Sequence, residues 1–378
     1  MSEAAKAWQR VADAKRIVVK IGSNLLTSED GVCEDWIAGR CAEIAALIRM
    51  GKQVVVVTSG SVAAGASRLG LGRRPTTVPE KQAAAAAGQG KLMQIYEQGF
   101  HAHGLHTGQI LLTRDDVANR RRYLNGRDTL ETLLSLGLVP VVNENDSVVV
   151  EEIRFGDNDT LAALVAGLVE AEVLILLSDV DALYSADPRK DASAQMIPMV
   201  KEVTPEIEAL AGGTGSEVGS GGMITKLRAA KMAARTGCLT VLANGFQDNP
   251  IDGVINKGGI GTLFLASGDA ISSRKRWIAN GLTCEGSLLL DDGAVAALRR
   301  GKSLLARGVV GVQGKFDRGA AVYCCDRDGR RISKGLVNYR HTHMDLIKGK
   351  HSRDIEAALG FIVDEEVVHR DDMVLLVK

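Results

Sequence analysis

"RIVVKIGSN", residues 16–24, decides how the fold is read. Its β-branched run is interrupted only by Lys20 and stops at Gly22, which fits a strand buried on both faces. The pattern recurs in "QVVVVTSG" (53–60), "TGQILLT" (107–113), "LVPVVNEN" (138–145), "EVLILLSD" (172–179) and "CLTVLANG" (238–245). Helix-like stretches separate these runs, at 34–50, 80–104, 115–136, 157–169 and 222–237. Strands alternating with helices predict an α/β fold, a mostly parallel sheet sandwiched by helices. Ligands of such sheets bind beyond the carboxyl ends of the strands, so chemistry is expected in the residues just after each run.

The rest of the chain sets limits. Its 378 residues suggest two or three domains. Lysine and arginine balance aspartate and glutamate at 46 each, so no global field favours nucleic acid or a membrane surface. Six cysteines without a C-x-x-C pair argue against zinc or a dithiol, and for a reducing cytoplasm. Cys324 and Cys325 are adjacent in a strand-like run and are expected on opposite faces. The N-terminus is charged throughout, unlike a signal peptide, and no apolar run reaches the ~20 residues of a membrane helix. After "GTLFLAS" (261–267) the alternation ends. A catalytic domain over 1–267, a linker over 268–283 and a small, mostly β domain over 284–378 are expected.

Each strand end carries two readings. Lys20 is either a snorkelling strand-end lysine or a cation aimed at an anion. Ser59, Gly60 and Ser61 lead into an Ala-rich helix, as a plain serine cap or as free N–H groups for an anion. Asn143, Glu144, Asn145 and Asp146 fit a turn, and equally an acceptor cluster for a substrate ammonium. Asp157, Asn158, Asp159 and Thr160 repeat that chemistry; one N-cap accounts for one of them, and Asp159 is placed to order a lysine. Ser178 and Asp179 end another strand, where a nucleotide is one reading and an ordered loop the other. "GSGGMITK" (219–226) has the ingredients of a phosphate loop in the wrong order for a Walker motif. Met223, Leu227, Ala230 and Ala234 form an apolar stripe, leaving Lys226 off it, exposed near a helix N-terminus. A cation there opposes the helix dipole unless it meets a polyphosphate.

In this order "VVKIGSN", "VTSGSVAAG", "NENDSV", "FGDNDTLAAL", "LLSDVDALYSADPR" and "GSGGMITKLRAA" resemble the amino acid kinase family over nearly the whole chain. More closely, the chain resembles members that phosphorylate the side-chain carboxylate of L-glutamate, the first step of proline biosynthesis. The C-terminal part, with "HSRDIEAALG" and "VVHRDDM", resembles a PUA domain. Ser178 and Ser220 stand where the family usually has threonine, and both keep a hydroxyl. The resemblance implies the amino acid kinase fold, with ATP and Mg²⁺ as cofactors. It also implies proline as an inhibitor, a homo-oligomer and a cytoplasmic location. It places Lys20 and Lys226 on the transferring phosphoryl group, with Asp159 orienting both. Ser59, Asn143, Asp146, Asp157 and Asn158 would surround glutamate. Lys20, Ser178, Asp179 and the loop Gly219, Ser220, Gly221, Gly222, Met223, Ile224, Thr225 and Lys226 would contact ATP. It names no protein ligand for the metal.

Two other readings stand beside this one. Within the family, an aspartate, acetylglutamate, carbamate or nucleoside-monophosphate kinase would differ in the acceptor segments "NENDSV" and "GDND". In another class, residues 299–353 hold 14 Lys/Arg against 4 Asp/Glu, which suggests RNA binding, but with only Phe316, Tyr323 and Tyr339 for base stacking. His341 and His343 are spaced as on one face of a strand, without a third metal ligand. The Ala-rich "KQAAAAAGQGKLMQIYEQ" reads as core or subunit interface, not as part of a site.

Overall fold

The computed structural model describes residues 2–28, 31–70, 73, 75–113, 116–117, 119–148, 158–211, 222–266, 275, 278 and 282–376. Asp157, Gly219, Ser220 and Gly221 lie outside the described residues. The chain forms two compact units, Met1–Ala270 and Ile271–Lys378.

In the first unit the strands are β1 (Arg16–Ile21), a small hairpin of β2 (Thr27–Ser28) and β3 (Gly31–Val32), β4 (Gln53–Val57), β5 (Thr107–Leu112), β6 (Val139–Glu144), β7 (Val173–Ser178), β8 (Met199–Val200), β9 (Leu239–Asn244) and β10 (Thr262–Phe264). Eight of them make one sheet in the order β5-β6-β4-β1-β7-β9-β10-β8. All neighbours from β5 to β9 run parallel, and β10 alone is antiparallel to β9. From β1 the chain moves to one side through β4, β5 and β6, then returns to β7 on the other side. That reversal opens a crevice at the carboxyl end of β1.

The helices are α1 (Glu3–Asp13), α2 (Ser23–Leu26), α3 (Glu34–Arg49), α4 (Ser61–Arg68), α5 (Val78–His101), α6 (Arg120–Ser135), α7 (Asn158–Leu168), α8 (Pro205–Ala209) and α9 (Met223–Arg235). Strand alternation divides them between two cores. Ile17, Val19, Val54, Val56, Ile175 and Leu177 face one core, with Ile44 of α3 and Leu92 and Tyr96 of α5. Val18, Val55, Val57, Leu174 and Leu176 face the other, with Leu161 of α7 and Leu227 and Ala230 of α9. Lys20 shares the parity of Val18, so it projects on the α7/α9 side. Asn143 shares the parity of Val139 and Val141, which pack in the α5 core.

α5 starts at Val78, two residues earlier than its composition suggests, because Thr77 and Glu80 form a reciprocal capping box. α4 and α5 cross with backbone against backbone. A Cβ on Gly65 would lie 1.7 Å from the Ala84 carbonyl oxygen, and one on Gly88 2.0 Å from that of Ser61.

The second unit is strand-rich. It contains β11 (Cys284–Leu290), α10 (Asp292–Arg299), β12 (Leu304–Leu305), β13 (Val309–Gly314), β14 (Ala321–Cys325), β15 (Arg331–Leu336), α11 (His341–Ile347), α12 (Ile355–Leu359), β16 (Glu366–Val368) and β17 (Met373–Leu375). Five strands pair in the order β13-β11-β14-β15-β17 around a separate core that includes Leu288, Val322, Cys324, Tyr339 and Val368. Cys325 lines an open cavity of about 420 Å³ with Tyr323 and Arg331, so the two cysteines do face opposite sides. His341 and His343 sit on a helix, not on a strand. Met344 and Ile347, three apart and both buried, impose the helical period, and an i, i+2 histidine pair alone does not outweigh it.

Candidate active site

Two clusters meet at the carboxyl ends of the central strands. The first is ionic. Lys20 Nζ lies 2.5 Å from Asp159 Oδ1, and Lys226 Nζ lies 3.3 Å from Asp159 Oδ2. The Thr225 hydroxyl is 2.8 Å from Asp159 Oδ2 and 2.7 Å from the Gly222 carbonyl oxygen, and donates to one at a time. Asp159 is 0% exposed, Lys20 6% and Lys226 5%, so the lysine expected at the surface is buried. The helix stripe did not reveal this, because the partner that draws Lys226 inward comes from a different helix, α7. Burial alone would push the Asp159 carboxyl up; the attraction of Lys20 and Lys226 outweighs it and holds the group below its usual range. One ionised carboxylate thus holds two ammonium groups side by side.

Gly22 sits against this group. A Cβ there would come within 3.3 Å of the Leu177 carbonyl oxygen and 3.8 Å of Lys20 Nζ. α9 begins at Gly222 with no side-chain cap, which leaves first-turn N–H groups for an anion beside Lys226. On the neighbouring strand end, Asp179 accepts hydrogen bonds from Asn24 Nδ2 at 2.9 Å and the Ser178 hydroxyl at 3.0 Å. Burial raises the Asp179 carboxyl, but these bonds and the Lys226 charge bring it below its ordinary value.

The second cluster is amide-rich. Asn158 Nδ2 has the Thr58 carbonyl oxygen (2.8 Å), Ser59 Oγ (2.9 Å) and Asn143 Oδ1 (3.1 Å) within reach of its two N–H groups. Asn143 Oδ1 also accepts from the Glu144 backbone N–H at 2.9 Å, while Asn143 Nδ2 donates to Gln89 Oε1 at 2.9 Å. The Ser61 hydroxyl donates to Asp146 Oδ2 at 3.2 Å. Beneath them the Thr58 and Tyr96 hydroxyls share a buried hydrogen bond of 2.8 Å. The α4 cap is Gly60, at φ 93°, and no serine side chain caps the helix. Ser59 instead accepts from Asn158, which leaves the α4 N-terminus open.

Ser59, Asn143 and Asn158 therefore meet directly, and Asp146 pairs with Ser61 at the start of α4. Asn158 and Asp159, consecutive at the start of α7, enter one cluster each. Gln89 and Asn24 belong to the site without having been singled out. Asn24 lies within the quoted "VVKIGSN", but Gln89 is hidden in the Ala-rich run and only the fold reveals it. Elsewhere, Glu97, His101 and His106 bring three ligand atoms within 4.8 Å of one another at the opposite end of β5. Among the described residues no helix is long and apolar enough to cross a membrane.

The chain matches known proteins over most of its length. The "Amino acid kinase family" pattern matches residues 15–244, and the "PUA domain" pattern matches residues 286–359. A glutamate 5-kinase from Geobacter sulfurreducens is 49% identical over 97% of this chain and 99% of its own length. One from Trichlorobacter lovleyi is 50% identical over 96% and 97%. A solved carbamate kinase from Giardia lamblia, bound to AMP-PNP, aligns with 68% of this chain and 100% of its own at a TM-score of 0.49 and 14% identity.

Proposed function

Because this chain belongs to the amino acid kinase family, among its glutamate 5-kinases, we propose that the two clusters are the phosphoryl and acceptor halves of one active site. The reaction is transfer of the terminal phosphoryl group of ATP to the side-chain carboxylate of L-glutamate, giving L-glutamyl 5-phosphate and ADP. A carboxylate oxygen forms the new bond to phosphorus as the bond to the ADP oxygen breaks. The nucleophile is already an anion, so no general base is required. The barrier lies in bringing negative groups together and aligning them, which is the task of fixed cations.

The convergence of Lys20 and Lys226 on Asp159 carries this reading. Asp159 holds both lysines side by side, so their positive charges face the migrating phosphoryl oxygens together. Gly222 to Lys226 receive the phosphates at the α9 N-terminus, and Ser178 and Asp179 contact the nucleotide. Gly219, Ser220 and Gly221 complete that loop in the family pattern. Mg²⁺, when bound with ATP, neutralises phosphate charge. Asp159 is fully buried against two lysines, so the exposed, ionised Asp179 is the better-suited carboxylate on that side. Ser59, Asn143, Asp146 and Asn158, with Asp157, hold glutamate. Inhibition by proline and self-association rest on the family resemblance; initial rates at low glutamate with added proline test the first.

The direct test incubates the protein with ATP, Mg²⁺, glutamate and hydroxylamine, which traps the acyl phosphate as a hydroxamate. Glutamate-dependent hydroxamate is expected. Product with aspartate or acetylglutamate instead would move the chain to another branch of the family.

A further inference from the structure

We infer that Gln89 is a specificity-determining residue of the acceptor subsite, its side-chain Nε2 donating to the carboxylate at the non-reacting end of the amino acid. The inference rests on the glutamate kinase reading above and adds a residue to it.

Two backbone groups fix the direction of the amide network. The Thr58 carbonyl only accepts, so the Asn158 atom facing it is Nδ2. The Glu144 N–H only donates, so the Asn143 atom facing it is Oδ1, which turns Asn143 Nδ2 toward Gln89. Gln89 must then present Oε1 to Asn143. What remains is Gln89 Nε2 and Asn158 Oδ1, both buried and both without a hydrogen-bond partner among the described residues. A buried donor left unpaired is unfavourable, and few are tolerated without a reason. One spare donor and one spare acceptor flanking Asn143 complement the carboxylate and ammonium that every α-amino acid carries on one carbon.

The location agrees. Val142, beside Asn143, is in register with Val57 of β4, which is in register with Lys20 of β1. The amide cluster therefore lies two strand spacings, roughly 10 Å, from the phosphoryl cations. That span suits a substrate whose far carboxylate reacts at the lysines while its head group rests at Asn143 and Gln89. The Gly65/Gly88 crossing holds the α5 backbone immediately before Gln89 against α4, so the donor is positioned before substrate arrives.

The test is steady-state kinetics on the full chain with Gln89→Glu and Gln89→Met. Gln89→Glu keeps the acceptor for Asn143 and replaces the donor with an oxygen that repels a carboxylate. KM for glutamate is expected to rise about 10- to 100-fold, with kcat within about threefold and KM for ATP unchanged. Gln89→Met, without the added charge, should show the smaller rise of the two. With glutamate α-amide, whose head group carries no carboxylate, the Gln89→Glu penalty should shrink. A wild-type KM for glutamate in Gln89→Glu overturns the inference. So does a parallel rise in KM for ATP, or a penalty as large on the α-amide, since both mark a merely structural role. Absence of glutamate-dependent hydroxamate in the wild type would instead overturn the kinase reading.

Discussion

Asp159 carries opposite obligations to two lysines, and substitutions around it should separate chemistry from stability. Lys226→Ala leaves Asp159 paired with Lys20, so the protein should fold; its hydroxamate rate should fall on the order of 10²- to 10³-fold, as when one preorganised donor to a transition state is deleted. Wild-type-like turnover would remove Lys226 from the mechanism. Asp159→Asn is different in kind. It removes the carboxylate that both buried lysines face, and a stability loss of about 3–5 kcal/mol in urea denaturation is expected. Its pH dependence follows from the direction of the shift. The Asp159 carboxyl is held below its ordinary value of 3.8, so the ionised form stabilises the fold fully above that value. That stabilisation is lost as pH falls through the lower, folded-state value. The gap between wild type and Asp159→Asn should stay constant from about pH 5 to 7 and narrow only below about pH 4. Lys20, Asp159 and Asn158 were legible in the sequence because each closes a strand or opens a helix. The burial of Lys226 was not, because it depends on a carboxylate 67 residues away along the chain.

At the scale of elements, the α4–α5 crossing is the most exacting contact of the first unit. Gly65→Ala places a methyl group 1.7 Å from the Ala84 carbonyl oxygen, and backbone has no rotamer by which to withdraw. The helices must part, so a stability loss of at least about 1–3 kcal/mol is expected. Because α5 presents Gln89 to Asn143, glutamate KM should rise in the same variant, and thermal denaturation beside kinetics checks both. Sequence patterns gave six strands (β1, β4, β5, β6, β7 and β9) and five helices (α3, α5, α6, α7 and α9) of this unit to within about five residues, but missed α1, α8, β2, β3 and β8. They failed where the decisive contact was non-local or the spacing ambiguous. The alanine run reads as packing material, yet it brings Gln89 to the site. His341 and His343 read as strand neighbours until Met344 and Ile347 are seen buried on one helical face.

On the scale of the whole molecule, alternation of strands with helices was enough for the fold class, since parallel strands buried on both faces leave a recognisable composition. Strand order was not legible, because β1 pairs with β7 across some 150 residues and nothing local announces it. The two units have separate cores, one pair of clusters around the eight-stranded sheet and another around Leu288, Val322 and Tyr339. A fragment spanning Ile271–Lys378 is accordingly expected to show its own cooperative thermal transition; a non-cooperative melt would mean that its core is incomplete alone. Back in the first unit, Asn158 and Asp159 are joined by a single peptide bond, so their Cα atoms are about 3.8 Å apart whatever the surrounding side chains do. In the proposed reading, the two reactants are thus held from a single turn of α7. An inhibitor that tilted the first turn of α7 would then misalign both reactants in one stroke.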